Sequence, residues 1–176
     1  MKRVMVVAAV MLILGGCASI TQPAATGNIA VADVKNANGQ SIGMATLTEV
    51  PGGVRIVMDV KGLPPGPKGV HIHEGGKCEA PQFTSAGDHF NPDKKQHGLM
   101  NPQGQHAGDL PNITIAADGA GRLETTTNRV TLASGATSIF DADGSALVIH
   151  AAPDDFVTDP TGNSGGRSAC GVIVKK

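Results

Sequence analysis

The 176-residue chain contains no tryptophan, no tyrosine and only four phenylalanines. Its core must therefore be built mainly from aliphatic side chains. Charge of either sign is also in short supply, with 14 basic and 15 acidic residues. Met1–Gly16 hold Lys2 and Arg3 and no acidic residue, so 12 basic and 15 acidic residues remain beyond them, a net charge of −3. Such a surface lacks the basic excess of nucleic-acid-binding proteins, and we expect no nucleic-acid partner.

The apolar run Val4–Leu14 is shorter than the ~20 residues that a membrane-spanning helix needs. It follows Lys2 and Arg3, a pattern typical of a secretory signal peptide. The run ends in Leu14-Gly15-Gly16-Cys17, which resembles a bacterial lipobox, whose cysteine is diacylated and becomes the new N-terminus. An ordinary signal peptide with an incidental cysteine is the alternative. The predicted organisation is a signal peptide (1–16), a lipidated N-terminus with a flexible tether (17–27) and one domain (28–176).

Cysteine is rare as well, with Cys17, Cys78 and Cys170 as its only occurrences. If lipid occupies Cys17, an even pair remains in an exported, oxidising compartment, where a disulfide can form and persist. Closing so long a loop could stabilise the fold by roughly 4–5 kcal/mol in the chain-entropy model. Two free thiols are the alternative to a Cys78–Cys170 disulfide.

Helical periodicity is absent from every window of ten or more residues, and β patterning takes its place. Apolar residues recur at every second position of Val54–Val60, the signature of a half-buried strand. Gly-containing turns such as Asn38-Gly39 and Asp118-Gly119 separate the segments. The pattern predicts an all-β fold, an antiparallel eight-stranded Greek-key barrel or sandwich of immunoglobulin-like architecture with two long site-forming loops. Strands are expected near residues 29–34, 42–49, 54–60, 70–74, 113–115, 123–127, 146–150 and 170–174.

Histidines are concentrated in one part of the chain. Five of the six lie in Gly69–Asp109, and the sixth, His150, closes a later predicted strand. Histidine is the commonest protein metal ligand. Gly75–Gly108 shows little strand character. Its length of 34 residues is far beyond the ~12–15 at which structureless loops become uncommon. We expect metal binding and a disulfide to hold this loop, and Ala151–Ser168 to border the same site. A run of surface histidines in a long loop is the alternative.

Strand geometry places two of these ligands together. In the strand Val70–Glu74, His71 and His73 are two residues apart and project from one face. His106 and Asp109 are spaced so that one turn can bring an imidazole and a carboxylate to a single ion. A carboxylate with nitrogen ligands suits zinc, whereas several imidazoles in a tetragonal array suit copper. Seven candidate ligands are one short of two four-coordinate sites, unless one doubly deprotonated imidazole serves both.

Six motifs occur in order along nearly the whole mature chain: His71-Ile72-His73-Glu74, Ala86-Gly87-Asp88-His89-Phe90-Asn91-Pro92, Gln96-His97-Gly98, His106-Ala107-Gly108-Asp109-Leu110, Val148-Ile149-His150 and Gly162-Asn163-Ser164-Gly165-Gly166-Arg167-Ser168-Ala169-Cys170-Gly171. Together they resemble copper/zinc superoxide dismutase, a family with sandwich architecture. The resemblance implies a copper site at His71, His73, His89 and His150, and a zinc site at His89, His97, His106 and Asp109. His89 would be the shared imidazolate.

The resemblance also assigns residues around the metals. It implies that Arg167 supplies a guanidinium beside the open copper face and, with His89, takes part in catalysis. Asp154 would hydrogen-bond to the free nitrogens of one copper and one zinc histidine and so orient both. Thr161 would lie on the wall of the substrate channel. A loop-capping role for Asp154 and an ordinary loop position for Thr161 are the alternatives.

The implied activity is superoxide dismutation, in which one-electron cycling of copper converts superoxide into dioxygen and hydrogen peroxide. We expect superoxide as substrate, a protective role in the cell envelope, membrane attachment through the N-terminal lipid on a periplasmic or extracellular face, and a monomer or homodimer. The alternative function is a non-catalytic copper/zinc lipoprotein for metal storage or delivery. A structural sandwich with zinc alone would leave His71, His73 and His150 unexplained.

The loop after His150 departs from the family pattern. Many members carry lysines and glutamates there, whereas Ala151–Gly166 contains three aspartates and no basic residue. Electrostatic steering can raise association rates by ~10–10³. We therefore expect weaker steering in this chain, unless Lys94 and Lys95 of the other loop substitute.

Overall fold

The computed structural model describes residues 27–176. The predicted signal peptide, Cys17 and all of the tether except Gly27 lie outside the described residues. Within residues 27–176, no helix has the length and apolarity that a bilayer crossing requires. The elements are β1 Ile29–Asn36, β2 Ser41–Val50, β3 Gly53–Val60, β4 Gly66–Lys68, β5 Val70–His73, a 3-10 turn Thr84–Ala86, β6 Ile113–Ile115, β7 Gly121–Thr127, β8 Ala146–His150, β9 Arg167–Val172 and β10 Val174–Lys175.

The strands form one antiparallel sheet that curls into a nearly closed barrel. Their order is β4-β6-β7-β3-β2-β1-β9-β8-β5, with β10 beside β1. The predicted all-β, antiparallel Greek-key barrel is thus confirmed. It contains two short strands beyond the eight expected, β4 and β10. The expected strand at Cys170–Val174 is divided, because Arg167–Val172 pairs with β8 whereas Val174–Lys175 pairs with β1.

The barrel core is aliphatic, as the scarcity of aromatic residues predicts. Val54, Ile56 and Met58 of β3 are fully buried, while the alternating residues Arg55, Val57 and Asp59 lie on the outer face. Each large aliphatic side chain buried in this way contributes about 1.5–3 kcal/mol relative to an exposed one. The alternation fixes the register of β3 against β2 and β7, since a one-residue slip would turn the apolar face outwards.

The long loop between β5 and β6 is fastened to the barrel by a disulfide. Cys78 and Cys170 are bonded, with their Cα atoms 5.7 Å apart. The predicted pairing is therefore confirmed. Phe83 and Ala86 of the loop pack against Cys170 in a small buried cluster separate from the main core. The loop thus has apolar packing of its own, which holds it against β9.

Candidate metal centre

Three of the predicted ligands lie on two paired strands. β5 pairs with β8, with Val70 opposite Ile149, so His71 and His73 lie beside His150 at the end of β8. The first long loop crosses over this face, and backbone bridges join His71 to Asp109 and His73 to His89. All six histidines and Asp109 are buried as a result. The structure therefore brings together every residue that was predicted to bind a metal.

Hydrogen bonds orient the rings of three of the predicted copper ligands. The Nδ1 atoms of His73 and His150 donate to the carbonyl oxygens of Gly87 (2.9 Å) and Gly165 (3.0 Å). Their Nε2 atoms are then bare acceptors, and they face each other at 3.4 Å. In His71 the orientation is reversed, because Nε2 lies 2.7 Å from a carboxylate oxygen of Asp154 and leaves Nδ1 free.

These free nitrogens fit a metal ion. Nδ1 of His71 and Nε2 of His89 are buried without a hydrogen-bond partner among residues 27–176. A buried, unpartnered polar atom costs about 1–3 kcal/mol, and facing lone pairs repel each other. One ligand atom from each of His71, His73, His89 and His150 can be chosen so that all lie within 4.8 Å of one another. A cation bound among them would satisfy all four nitrogens.

The predicted zinc ligands are grouped around Asp109. Its Oδ2 accepts hydrogen bonds from the backbone N–H groups of Gly98 (2.9 Å) and His106 (3.0 Å), which turns Oδ1 toward the histidines. Oδ1 lies 3.0 Å from Nδ1 of His97 and 3.3 Å from Nδ1 of both His89 and His106. Three Nδ1 atoms and one carboxylate oxygen therefore converge, a ligand set that suits zinc.

A second group of ligand atoms within 4.8 Å contains His71, His89, His97 and Asp109. It differs from the expected zinc set by having His71 in place of His106. His71 and His89 both belong to both groups, but Nε2 of His71 is engaged by Asp154. His89 has both ring nitrogens available, since its Nδ1 lies 3.4 Å from Nδ1 of His106 and its Nε2 is unpartnered among residues 27–176.

Burial and charge set the protonation of these ligands. Burial lowers the pKa of His71 to about 3, of His73 to about 2 and of His150 to about 4, so all three are neutral at pH 7 and offer a lone pair. Burial also lowers the pKa of His89. For His97 burial acts in the same direction, but the carboxylates of Asp109 and Asp154 outweigh it and raise its pKa to about 9.

The two carboxylates are held ionised by the same contacts. Burial opposes their charge, yet the pKa of Asp109 is lowered by hydrogen bonds from His106, His89 and His97. Contacts with His71 and His97 lower the pKa of Asp154 in the same way. Asp154 lies 2.7 Å from Nε2 of His71 and 3.0 Å from Nε2 of His97. The carboxylate therefore connects one histidine of each metal group.

Sequence reasoning missed the residues that hold Asp154 and the loops in place. Asn112 donates to the backbone carbonyl of Asp154 and accepts from its N–H, both at 2.9 Å. Asp159 accepts from the backbone N–H of His97 at 2.6 Å. Neither residue belongs to a motif, because its role depends on a partner more than 40 positions away.

A cleft of about 440 Å³ opens onto His73, His89 and His150. Thr161 and Arg167, the two residues predicted beside the substrate, both line it. The guanidinium of Arg167 donates to the carbonyl oxygens of Phe83 (2.6 Å) and Gly87 (2.5 Å) in the first loop. The carbonyl oxygen of Gly87 therefore accepts hydrogen bonds from both Arg167 and His73, and so it holds the two side chains in a fixed relation.

The remaining charged residues of the cleft wall are acidic. Glu74 and Asp88 line it, whereas Lys94 and Lys95 do not. This acidic pair was not predicted from the sequence, although both residues stand beside predicted copper ligands. The cleft thus combines one fixed cation with two nearby carboxylates. Histidines aside, Arg167 is the one positively charged residue among residues 27–176 that lines it.

An antiparallel barrel with two adjoining buried metal-ligand groups, beside an arginine-lined cleft wide enough for a small anion, defines a dinuclear metalloprotein. The model of the family "Copper/zinc superoxide dismutase (SODC)" matches residues 41–173. Superoxide dismutase [Cu-Zn] 1 of Aquifex aeolicus is 49% identical over 144 residues, covering 81% of this chain and 85% of the relative. Superoxide dismutase [Cu-Zn] of Caulobacter vibrioides is 48% identical over 147 residues, covering 82% and 84%.

Solved structures agree with these relatives. The crystal structure of a SOD-like protein from Bacillus subtilis has a TM-score of 0.79 at 39% identity, covering 82% of this chain and 97% of that one. The chain belongs to the copper/zinc superoxide dismutase family. It is an oxidoreductase that acts on superoxide with copper and zinc as cofactors, as the sequence predicts.

Proposed function

We propose that His71, His73, His89 and His150 bind copper, that His89, His97, His106 and Asp109 bind zinc, and that His89 is shared. The observation that carries this assignment is the orientation of the rings. Backbone carbonyls and Asp154 occupy the outward nitrogens of four histidines, which leaves each of these four with one nitrogen for one ion: His71, His73, His97 and His150. His89 has both nitrogens directed at ligand groups and is the natural bridge.

Bound copper supplies the reversible one-electron transfer that both halves of superoxide dismutation require. The chain provides the binding site and one of the two protons that peroxide formation consumes; the second would come from water. Arg167, fixed by two carbonyl oxygens, attracts the anion and orients it against the face formed by His73 and His150. His89 would carry the first proton at Nε2 whenever that nitrogen is free of the metal, and would pass it to the reduced anion. Thr161, which lines the cleft, bounds the channel.

Two variants test the ligand assignment. His150→Ala removes a copper ligand only, so we expect loss of copper and of superoxide consumption with zinc retained. Asp109→Asn weakens the zinc group, so zinc should be lost first and the loop loosened. Metal content is measured by mass spectrometry alongside superoxide decay after pulse radiolysis. Asp118→Asn is the matched control, since Asp118 is an exposed turn residue remote from the cluster. A fully active His150→Ala protein would refute the assignment.

The same assay addresses the non-catalytic alternative. A storage or delivery protein would take up copper through these ligands without consuming superoxide. The arginine in the cleft favours an enzyme. Its positive charge attracts an anionic substrate, whereas in a storage or delivery protein the same charge would repel the metal cation. Copper-loaded protein that left the superoxide decay unchanged would support the alternative.

We also propose that the chain is an envelope lipoprotein that removes superoxide outside the cytoplasm. Residues 1–16 would be the signal peptide, 17–27 the lipidated N-terminus and tether, and 28–176 the enzyme domain. The lipobox-like ending at Cys17 supports this organisation, and the disulfide is consistent with export. Cys17→Ser should abolish labelling by palmitate and shift the protein from the membrane to the soluble fraction, whereas the neighbouring Ser19→Ala should not. Unchanged membrane attachment of Cys17→Ser would refute lipidation.

A further inference from the structure

Lys68 carries a buried charge to which the activity described above assigns no role. The residue is 5% exposed, and no other lysine or arginine is buried among residues 27–176. Lysine is almost never fully buried unless its charge is paired. In the part of the chain that the structure describes, Nζ has one hydrogen-bond acceptor, the carbonyl oxygen of Ala151 at 3.1 Å, and no carboxylate within 4 Å.

The acceptor lies at a critical position, directly after His150. The residue that follows Lys68 holds the same segment through its backbone, because Gly69 accepts from the N–H of His150 (2.8 Å) and donates to the carbonyl of Ala152 (2.9 Å). Lys68 and Gly69 therefore anchor three consecutive residues. The segment they anchor leads from a proposed copper ligand to Asp154.

The far end of this segment is anchored from the neighbouring strand. Lys68 pairs with Ile113, and Asn112, which precedes Ile113, makes the two reciprocal hydrogen bonds to the backbone of Asp154. The ends of β4 and β6 thus form one platform under His150–Asp154. Among residues 27–176, Lys68 provides the one charged contact of this platform.

We propose that Lys68 is a positioning residue for both metal sites. By holding Ala151, it fixes the ring of His150 on the copper side and the carboxylate of Asp154, which in turn orients His71 and His97. This role rests on the proposed ligand set. Lys68 touches neither metal nor substrate, and it acts through the segment that it anchors.

Lys68→Met separates positioning from simple stabilisation. Methionine is similar in length and apolar, so it fills the same buried space without the charge, and water can reach the carbonyl of the exposed Ala151 in place of Nζ. We expect the apoprotein to unfold at the same denaturant concentration or higher. Copper and zinc affinities should nevertheless fall by about 10–100-fold, as for other groups that orient metal ligands, and the EPR spectrum of bound Cu(II) should change. Lys68→Arg, which keeps a charged donor, should recover affinity toward the wild-type value.

Lys61→Met is the matched control, since it makes the same substitution at an exposed lysine of the β3–β4 connection. It should leave the Cu(II) spectrum and both affinities unchanged. Wild-type affinities and a wild-type Cu(II) spectrum in Lys68→Met overturn the proposal. Loss of apoprotein stability in parallel with metal affinity overturns it too, because Lys68 would then be an ordinary structural residue. Wild-type protein that binds no copper would instead overturn the ligand set, and with it this role.

Discussion

Replacing Asp154 by asparagine tests how strongly one carboxylate couples the two metal sites. Its oxygens lie 2.7 Å from Nε2 of His71 and 3.0 Å from Nε2 of His97, and both serve as acceptors. Asparagine retains one oxygen, so its NH2 group must face one of the two imidazoles. That imidazole loses its acceptor and is driven to the tautomer with a proton on its metal-facing Nδ1.

The size of the effect follows from the lost hydrogen bond. A hydrogen bond to a charged group is worth ~1.5–3 kcal/mol, which corresponds to about 10–150-fold in an equilibrium constant. We therefore expect Asp154→Asn to lower the affinity for at least one of the two metals by about 10–100-fold, in line with other outer carboxylates of metal sites.

Competition with chelators of known affinity measures the copper affinity and the zinc affinity of the variant separately. Asp155→Asn is the control, because Asp155 is an exposed neighbour whose carboxylate bonds only within its own turn, to Thr158, Asn163 and the N–H of Val157. If Asp154→Asn bound copper and zinc as tightly as the wild type, the bridging role of this carboxylate would be disproved.

Three further predictions concern charge, covalent bonding and pH. Arg167→Leu should lower the second-order rate constant with superoxide by about 10–10³-fold at unchanged copper content. Glu74→Gln should raise this rate constant at low salt. Rate constants equal to that of the wild type, measured by stopped-flow or pulse radiolysis, would contradict this account of the cleft. Replacing Cys78 and Cys170 by alanine should lower the free energy of unfolding by up to about 4–5 kcal/mol, measured in urea, and no loss would refute the clamp. Zinc must displace a proton from His97, whose pKa is raised to about 9, so zinc affinity should rise about tenfold per pH unit between pH 6.5 and 9. A zinc affinity that did not change with pH would contradict this prediction. The raised pKa of His97 also stabilises the zinc-free fold below pH ~6.5, and this contribution is lost as the pH passes 9.

The metal ligands were predictable because their signal is local. The H-x-H pair in β5 needs only the period of a strand to place His71 and His73 on one face, and the ordered motifs of the family supply the others. The barrel was predictable for the same reason, since alternation is visible in Val54–Val60. Cys78 and Cys170 could be paired once Cys17 was set aside.

The parts that were missed depend on contacts between distant segments. β4 was overlooked because Pro67 in its centre lacks a backbone donor and weakens any strand pattern. Asn112 and Lys68 bind backbone groups of a distant loop, and the carbonyl of Gly87 accepts from the side chains of His73 and Arg167 on β5 and β9; such contacts leave no residue pattern. The acidic wall formed by Glu74 and Asp88 appears only when the cleft is assembled.

The central claim is that the ring of His89 lies between the two metals. A crystal structure of the fully metal-loaded protein, with anomalous difference maps on either side of the copper and zinc absorption edges, tests it most directly. We predict copper at Nε2 of His89 with His71, His73 and His150, and zinc at Nδ1 with His97, His106 and Asp109. Anomalous peaks that left either nitrogen of His89 uncoordinated would contradict the account.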